Sequence, residues 1–188
     1  AKEFGYVIKL LGVAKNTEDG IEVKVHPMLI PNNHPLANVN DAFNAVFVHG
    51  KAMDDAMFMG RGAGQMPTAS AVVGDIIDVC RNIVHDSCGR IGCCCYKNLE
   101  VKDITDTKSK FFLRLEVADK QGVLANIASV LGNSGVSIAQ VVQKSGKDGV
   151  AELVIITAEV LEKNFNDAMA VFKGLSAVKN IAGVIRVY

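Results

Sequence analysis

Phe111-Phe112-Leu113-Arg114-Leu115-Glu116-Val117-Ala118 decides the fold of the later part of this chain. Phe111, Leu113, Leu115 and Val117 recur at every second position, so an extended strand puts all four on one face. The residues that follow keep a regular rhythm. Gly122 to Asn133 predicts a helix (VLANIASVLGN) closed by Gly135. Ser137 to Gln143 predicts a strand, Ser145 to Gly149 a turn, and Val150 to Thr157 a further strand. Leu161 to Lys173 predicts a second helix and Val178 to Val187 a last strand. The order is βαββαβ, the ferredoxin-like pattern of an antiparallel sheet with two helices on one face. Residues 110–188 are therefore read as one small domain. A domain of this size buries a single modest core, and such domains often pair to cover a sheet edge.

Upstream the pattern is more mixed. In residues 4–15 (FGYVIKLLGVAK), Tyr6, Val7, Leu10, Leu11 and Ala14 recur at helical spacing, which predicts a helix. Ile21, Val23 and Val25 alternate with Glu22, Lys24 and His26, the mark of a half-buried strand. Pro27 limits how central that strand can be. Residues 31–35 read as a loop, Phe43 to His49 and Ala56 to Met59 as two strands, and about Pro67 to Val84 as a helix. The fold class expected is α+β, with a partial mixed α/β domain over residues 1–86 and the ferredoxin-like domain over 110–188. Residues 87–109 read as a cysteine-rich linker with a short strand near Cys93 to Tyr96.

Composition bounds the function. The 188 residues are 49% apolar and 21% charged, which is ordinary for a globular chain and too apolar for a disordered one. The longest unbroken apolar run is the five residues from Ala168 to Phe172, too short to span a membrane. Twenty basic residues balance twenty acidic ones, which argues against nucleic acid as a partner. Five cysteines without framework spacing fit a reducing cytoplasm. The chain opens Ala1-Lys2-Glu3 rather than with Met, as expected of a piece of something longer.

Several residue groups are candidates for chemistry. Gly60-Arg61-Gly62-Ala63-Gly64 leads into a helix, where backbone N–H groups could meet a ligand; a tight strand-to-helix turn is the plainer explanation. Asp75 sits in an apolar stretch, either buried with a partner or on a wet face with Asp78. Cys80, Cys88, Cys93, Cys94 and Cys95 lack the paired spacing of a zinc site, so no metal is expected. His26, His34, His49 and His85 are scattered and specify no nucleophile site. Asp119 to Leu124 joins a strand to a helix; Asp119 can cap that helix, and its free amides could hold an amino-acid carboxylate. Asn126, Ser137 and Gln143 could add polar contacts there, against a plain reading of capping and surface polarity.

Two resemblances follow from these residues. Tyr6 to Gly12, Val25-His26-Pro27, Pro35 to Asn40, Asn44-Ala45-Val46 and the block Gly60 to Asp75, in that order, resemble the later part of homoserine dehydrogenase. Residues 110–188 resemble an ACT domain, with Asp119-Lys120-Gln121-Gly122-Val123-Leu124-Ala125, Ile127 and Ala128 as the signature. Gln121 stands where that family commonly has Pro. The resemblance implies an enzyme that interconverts L-homoserine and L-aspartate 4-semialdehyde with NAD(P), in threonine and methionine synthesis. It implies that Gly62, Ala63, Gly64 and Thr68 lie beside the nicotinamide. It implies an amino-acid effector, L-threonine, at Asp119, Gly122, Val123, Leu124, Asn126, Ser137 and Ile138, and a homodimer or higher homo-oligomer. The family's Gly-x-Gly-x-x-Gly cofactor fingerprint and its Gly-x-Asp-x3-Lys catalytic signature are not in this sequence, so the chain holds no catalytic residue and is expected to be inactive alone. A stand-alone amino-acid-binding regulator, or a dimerisation module without catalysis, is the alternative.

Overall fold

Strand β5 (Lys108–Ala118) is the middle of the larger sheet in the computed structural model, which describes every residue except 91, 93–97, 145 and 147. The other strands of that sheet are β1 (Tyr6–Thr17), β2 (Gly20–Pro31), β6 (Ile138–Lys144), β7 (Val150–Thr157) and β9 (Val178–Val187). They run in the order β1-β2-β9-β5-β7-β6, and the two-residue β8 (Val160–Leu161) pairs with the start of β5. Within it, β9-β5-β7-β6 is antiparallel throughout, as the βαββαβ chain order leads one to expect; the spatial order comes from the structure. Helices α2 (Val123–Asn133) and α3 (Glu162–Gly174) cover one face.

The core follows from periodicity. Phe111, Leu113, Leu115 and Val117 alternate inward along β5, and Ala151, Leu153 and Ile155 do so along β7. Val123, Ile127 and Leu131 face them from α2 at four-residue spacing; Phe165, Ala168 and Phe172 face them from α3 at spacings of three and four. Phe111 and Phe165 stack with ring centroids 3.6 Å apart. Each fully buried Leu, Ile or Phe contributes about 1.5–3 kcal/mol over its exposed state. On the opposite face, Leu29, Ile156 and Val187 form a second buried cluster with Tyr6, Phe112 and Ile185 against it.

The first strand departs from expectation. Residues 4–15 were predicted as a helix, whereas Tyr6–Thr17 is a strand paired in full register with β2, from Tyr6↔Pro31 to Thr17↔Gly20. Both of its faces are apolar: Val7, Leu11 and Val13 are half-buried, and Ile8 and Leu10 are exposed. A strand with two apolar faces matches helical spacing by coincidence, and pairing with β2 settles it. In β2 the predicted faces are reversed. Glu22 and Lys24 are buried, while Val23 and Val25 are 50% and 64% exposed. Past Pro27, the strand gains its second neighbour at Met28↔Arg186 and Leu29↔Val187 only.

Compact packing divides the chain into residues 1–31 with 99–188, and residues 32–98. The division crosses the boundaries expected from sequence, because β1 and β2 join the later sheet. In the second unit, β3 (Phe43–Gly50) and β4 (Asp54–Arg61) form a hairpin, followed by α1 (Gln65–Val84). Helix α1 has no buried residue among those described, and Val72, Val73, Ile76, Ile77 and Val79 are each about half exposed. Asp75 is exposed, as are the apolar residues around it on α1. The expected strand near Cys93 to Tyr96 lies outside the described residues.

Leu131 has no solvent exposure and sits between α2 and the sheet. Leu131→Ala is expected to destabilise the chain by about 2–5 kcal/mol, read from urea unfolding.

Candidate functional site

The glycine turn is built by two close approaches. Strand β4 ends at Arg61 and α1 starts at Gln65, so Gly62-Ala63-Gly64 is the whole connection. The Gly62 N–H donates to Ala42 O at 3.0 Å. A Cβ at Gly62 would stand 1.5 Å from Asn44 Nδ2. Only the exposed Asn44 side chain, which can turn away, stands against a Cβ there, so packing alone does not require that glycine. Gly64 precedes the helix at φ +126°, a conformation side chains rarely adopt. No side chain caps α1, and its first bond runs from Thr68 N to Gly64 O at 3.1 Å. The amides of Gln65 and Met66 are left at the positive end of the helix, and Pro67 carries none. Gly62, Ala63, Gly64 and Thr68 are all exposed, so an acceptor group can reach this turn.

The second candidate, after β5, is split by the fold. Asp119 N donates to Gly149 O at 2.9 Å, and Asn126 N to Gly122 O at 3.0 Å. Asp119 does not cap α2 as predicted; Gly122 holds the cap position at φ +83° with no side-chain bond. Open space surrounds Gly122, so the backbone conformation is what requires glycine there. Val123 is buried in the core, while Leu124 and Asn126 are exposed. Ser137 and Ile138 lie elsewhere. Ala118 pairs with Val150 at the start of β7, and Ile138 pairs with Thr157 at its end. Eight residues of strand separate the two groups by about 23 Å. Within one chain a single amino acid cannot touch both.

The structure also holds a buried polar cluster that sequence reasoning missed. The Lys24 ammonium donates to Thr107 Oγ1 at 3.3 Å, Lys108 O at 2.9 Å and Ser109 Oγ at 3.0 Å. Ser109 Oγ donates to Glu162 Oε1 at 2.8 Å. Arg186 grips the same carboxylate with two bonds, of 2.6 and 2.7 Å. Glu22 lies 3.9 Å from Lys24 and 3.6 Å from Lys102. Burial raises the Glu162 pKa, but hydrogen bonds from Arg186 and Ser109 and the charges of Arg186 and Lys24 outweigh it and hold the group below 4.5. Burial lowers Lys24 below 10.5, against the pull of Glu22 and Glu162. His26 is on the same face of β2, and its Nε2 is buried without a partner.

Other sequence candidates stay apart. Cys80 and Cys88 are exposed thiols, and Cys93, Cys94 and Cys95 lie outside the described residues. Among the described residues no group of three or more His, Cys, Asp or Glu could hold a metal. His49 bonds Asp55 at 2.7 Å on the exposed hairpin, and His34 Nδ1 accepts from Leu36 N at 3.2 Å.

Comparison with known proteins places these features. Residues 1–77 match the homoserine dehydrogenase family model, and residues 105–186 match an ACT domain model. The chain is 39% identical to homoserine dehydrogenase of Pseudomonas aeruginosa, over 100% of its own length and 45% of the relative's. It is 40% identical to that of Corynebacterium glutamicum, over 99% of this chain and 42% of the relative. The solved homoserine dehydrogenase of Thiobacillus denitrificans superposes with a TM-score of 0.87 at 38% identity, over 100% of this chain and 43% of that one. The chain matches a C-terminal part of homoserine dehydrogenases along its whole length. It spans less than half the length of these relatives. The glycine turn falls in the homoserine dehydrogenase match, and the Asp119–Leu124 turn in the ACT match. The buried cluster belongs to both, with Lys24 from the first and Ser109, Glu162 and Arg186 from the second.

Alternation in β2 shows two faces but not which one turns inward, so Glu22, Lys24 and His26 read as solvent-facing. Their signal could only be found by pairing them with Glu162 and Arg186, far away in sequence. The cluster makes stability depend on pH. Burial, then the charge of Arg186 and that of Lys24, hold the His26 imidazole below its ordinary 6.5, against Glu162. Its neutral form therefore contributes stability that is complete above 6.5 and lost as pH falls through the lower folded value. Glu162 acts only further down, because its folded value lies below 4.5. The urea midpoint is expected to fall between about pH 7 and pH 5, and His26→Gln to flatten that slope.

Proposed function

We propose that this chain is the later part of a homoserine dehydrogenase, carrying one wall of the cofactor site and an amino-acid-sensing ACT domain. The complete enzyme interconverts L-homoserine and L-aspartate 4-semialdehyde with NAD(P) in the cytoplasm, on the path to threonine and methionine. The co-occurrence in one chain of the glycine turn into α1 and the ACT sheet carries this reading.

Gly62, Ala63, Gly64 and Thr68 fit the nicotinamide end of the cofactor. They form an exposed turn without a bulky or acidic side chain, with the Gln65 and Met66 amides able to donate to its acceptor atoms. Bound there, the nicotinamide supplies the hydride acceptor. The chain's own part is to present backbone and keep side chains out of the way. It holds neither the cofactor fingerprint nor the catalytic Lys signature, so we expect no turnover from these 188 residues alone.

For the effector, Asp119, Gly122, Val123, Leu124 and Asn126 form one part of the site, and Ser137 and Ile138 the other. Their separation along β7 is bridged if two copies bring the turn of one beside the β6 start of the other. Among the described residues β6 is an edge of the larger sheet, which suits that arrangement in a homodimer. L-Threonine, the product of the pathway, is the effector proposed.

In a thermal-shift series, L-threonine at about 100 times its dissociation constant is expected to add about 2.7 kcal/mol of stability. L-Isoleucine, L-methionine and L-serine are expected to add less. Asn126→Ala, an exposed change, is expected to remove the shift without lowering the ligand-free melting temperature. No shift with any amino acid would contradict the sensing role.

A further inference from the structure

Strand β2 lies in the homoserine dehydrogenase match, and β5, α3 and β9 lie in the ACT match, yet all four meet at one buried cluster. The backbone seam between the two parts is thin. Strand β2 pairs with β9 only at Met28 and Leu29, with one further bond from Tyr188 N to Leu29 O at 2.9 Å. The connecting segment adds Ile21 N to Glu100 O and Lys102 N to Ile21 O, each 2.9 Å. Against this, the side chain of Lys24 is 3% exposed and makes all three of its hydrogen bonds to Thr107, Lys108 and Ser109. An ammonium has three donors and no acceptor, so Lys24 is fully used by atoms of the other part.

We propose that Lys24 is the pin that couples the ACT domain to the homoserine dehydrogenase segment. The relay runs Lys24–Ser109–Glu162–Arg186, and it reaches the first residue of α3 and the end of β9. Glu162 opens α3, so any shift of that helix moves the carboxylate that Ser109 and Arg186 hold. Ser109 in turn holds Lys24, and Lys24 is fixed to β2. Pulling β2 away would break all three Lys24 bonds, take from Ser109 the donor that stands behind the Glu162 carboxylate, and leave buried polar groups short of a partner, an expensive state. The two parts therefore open together or not at all, the condition for passing a signal between them. The functional meaning rests on the proposed sensing role of the ACT domain; the coupling itself does not.

Hydrogen exchange on the 188-residue chain tests this without any effector, so a chain that binds no amino acid overturns the sensing role and leaves this result intact. In the native chain, the amides of the β1–β2 hairpin and of Arg186 to Tyr188 are expected to show similar protection. Lys24→Met is expected to speed exchange in both sets by about tenfold or more, while Leu113, Leu115 and Leu153 change by less than about twofold. Ser109→Ala, a milder cut in the same relay, is expected to give the same pattern at smaller size if Lys24→Met folds poorly. Arg114→Gln, which breaks the exposed Arg114–Glu152 pair on the sheet, is expected to leave the hairpin unchanged. Unchanged hairpin protection in Lys24→Met or Ser109→Ala, or an equal loss across the core, would overturn the proposal.

Discussion

A carboxylate that has left water must be held by cations and donors, and Glu162 is held on every side. Arg186 binds it with both arms, Ser109 donates to it, and Lys24 stands behind Ser109. The arginine also lies over the Phe111 ring, 5.6 Å from its centroid, and Phe111 stacks on Phe165 of α3. One ionised group thereby fixes the start of α3, the end of β9 and the start of β5, and draws in β2. Removing any one partner would leave the others buried and short of a contact. The apolar core gives this domain its stability; the Glu162 cluster gives it its register to the strand from the neighbouring family segment.

That arrangement changes how a two-part chain is pictured. The family matches divide it near residues 77 and 105, as beads on a string, but the larger sheet runs through both. Apolar surface is left over. Ile8, Leu10, Val23 and Val25 share the outer face of the β1–β2 hairpin, and α1 shows apolar residues without cover. Contiguous apolar surface marks contact with another protein surface. Such surface fits a chain that spans less than half of its relatives' length.

Much of the later domain was legible in the sequence because its strands have one apolar face and its helices keep strict spacing. Strands Val150–Thr157 and Val178–Val187 have the predicted bounds, and α2 and α3 fall within a residue of theirs. Strand β1 was not legible, because apolar residues on both faces erase the period of two. The inward turn of Glu22 and Lys24 was not legible either. Their partners Ser109, Glu162 and Arg186 are brought near by topology, which no local pattern encodes. The Gly62–Gly64 and Asp119–Gly122 connections were legible as turns. That Asp119 and Ser137 lie at opposite ends of β7 needed the strand register.

If Lys24 pins the two parts together, the β1–β2 hairpin and the ACT sheet unfold as one cooperative body. Equilibrium urea unfolding with two separate reporters tests it most directly. Leu10→Trp places a fluorophore on the exposed face of β1 in a chain that has no other tryptophan, and far-ultraviolet circular dichroism follows the whole chain. One hairpin transition is expected, coinciding with the main loss of secondary structure. A tryptophan transition complete at lower urea, before the main loss begins, would contradict it.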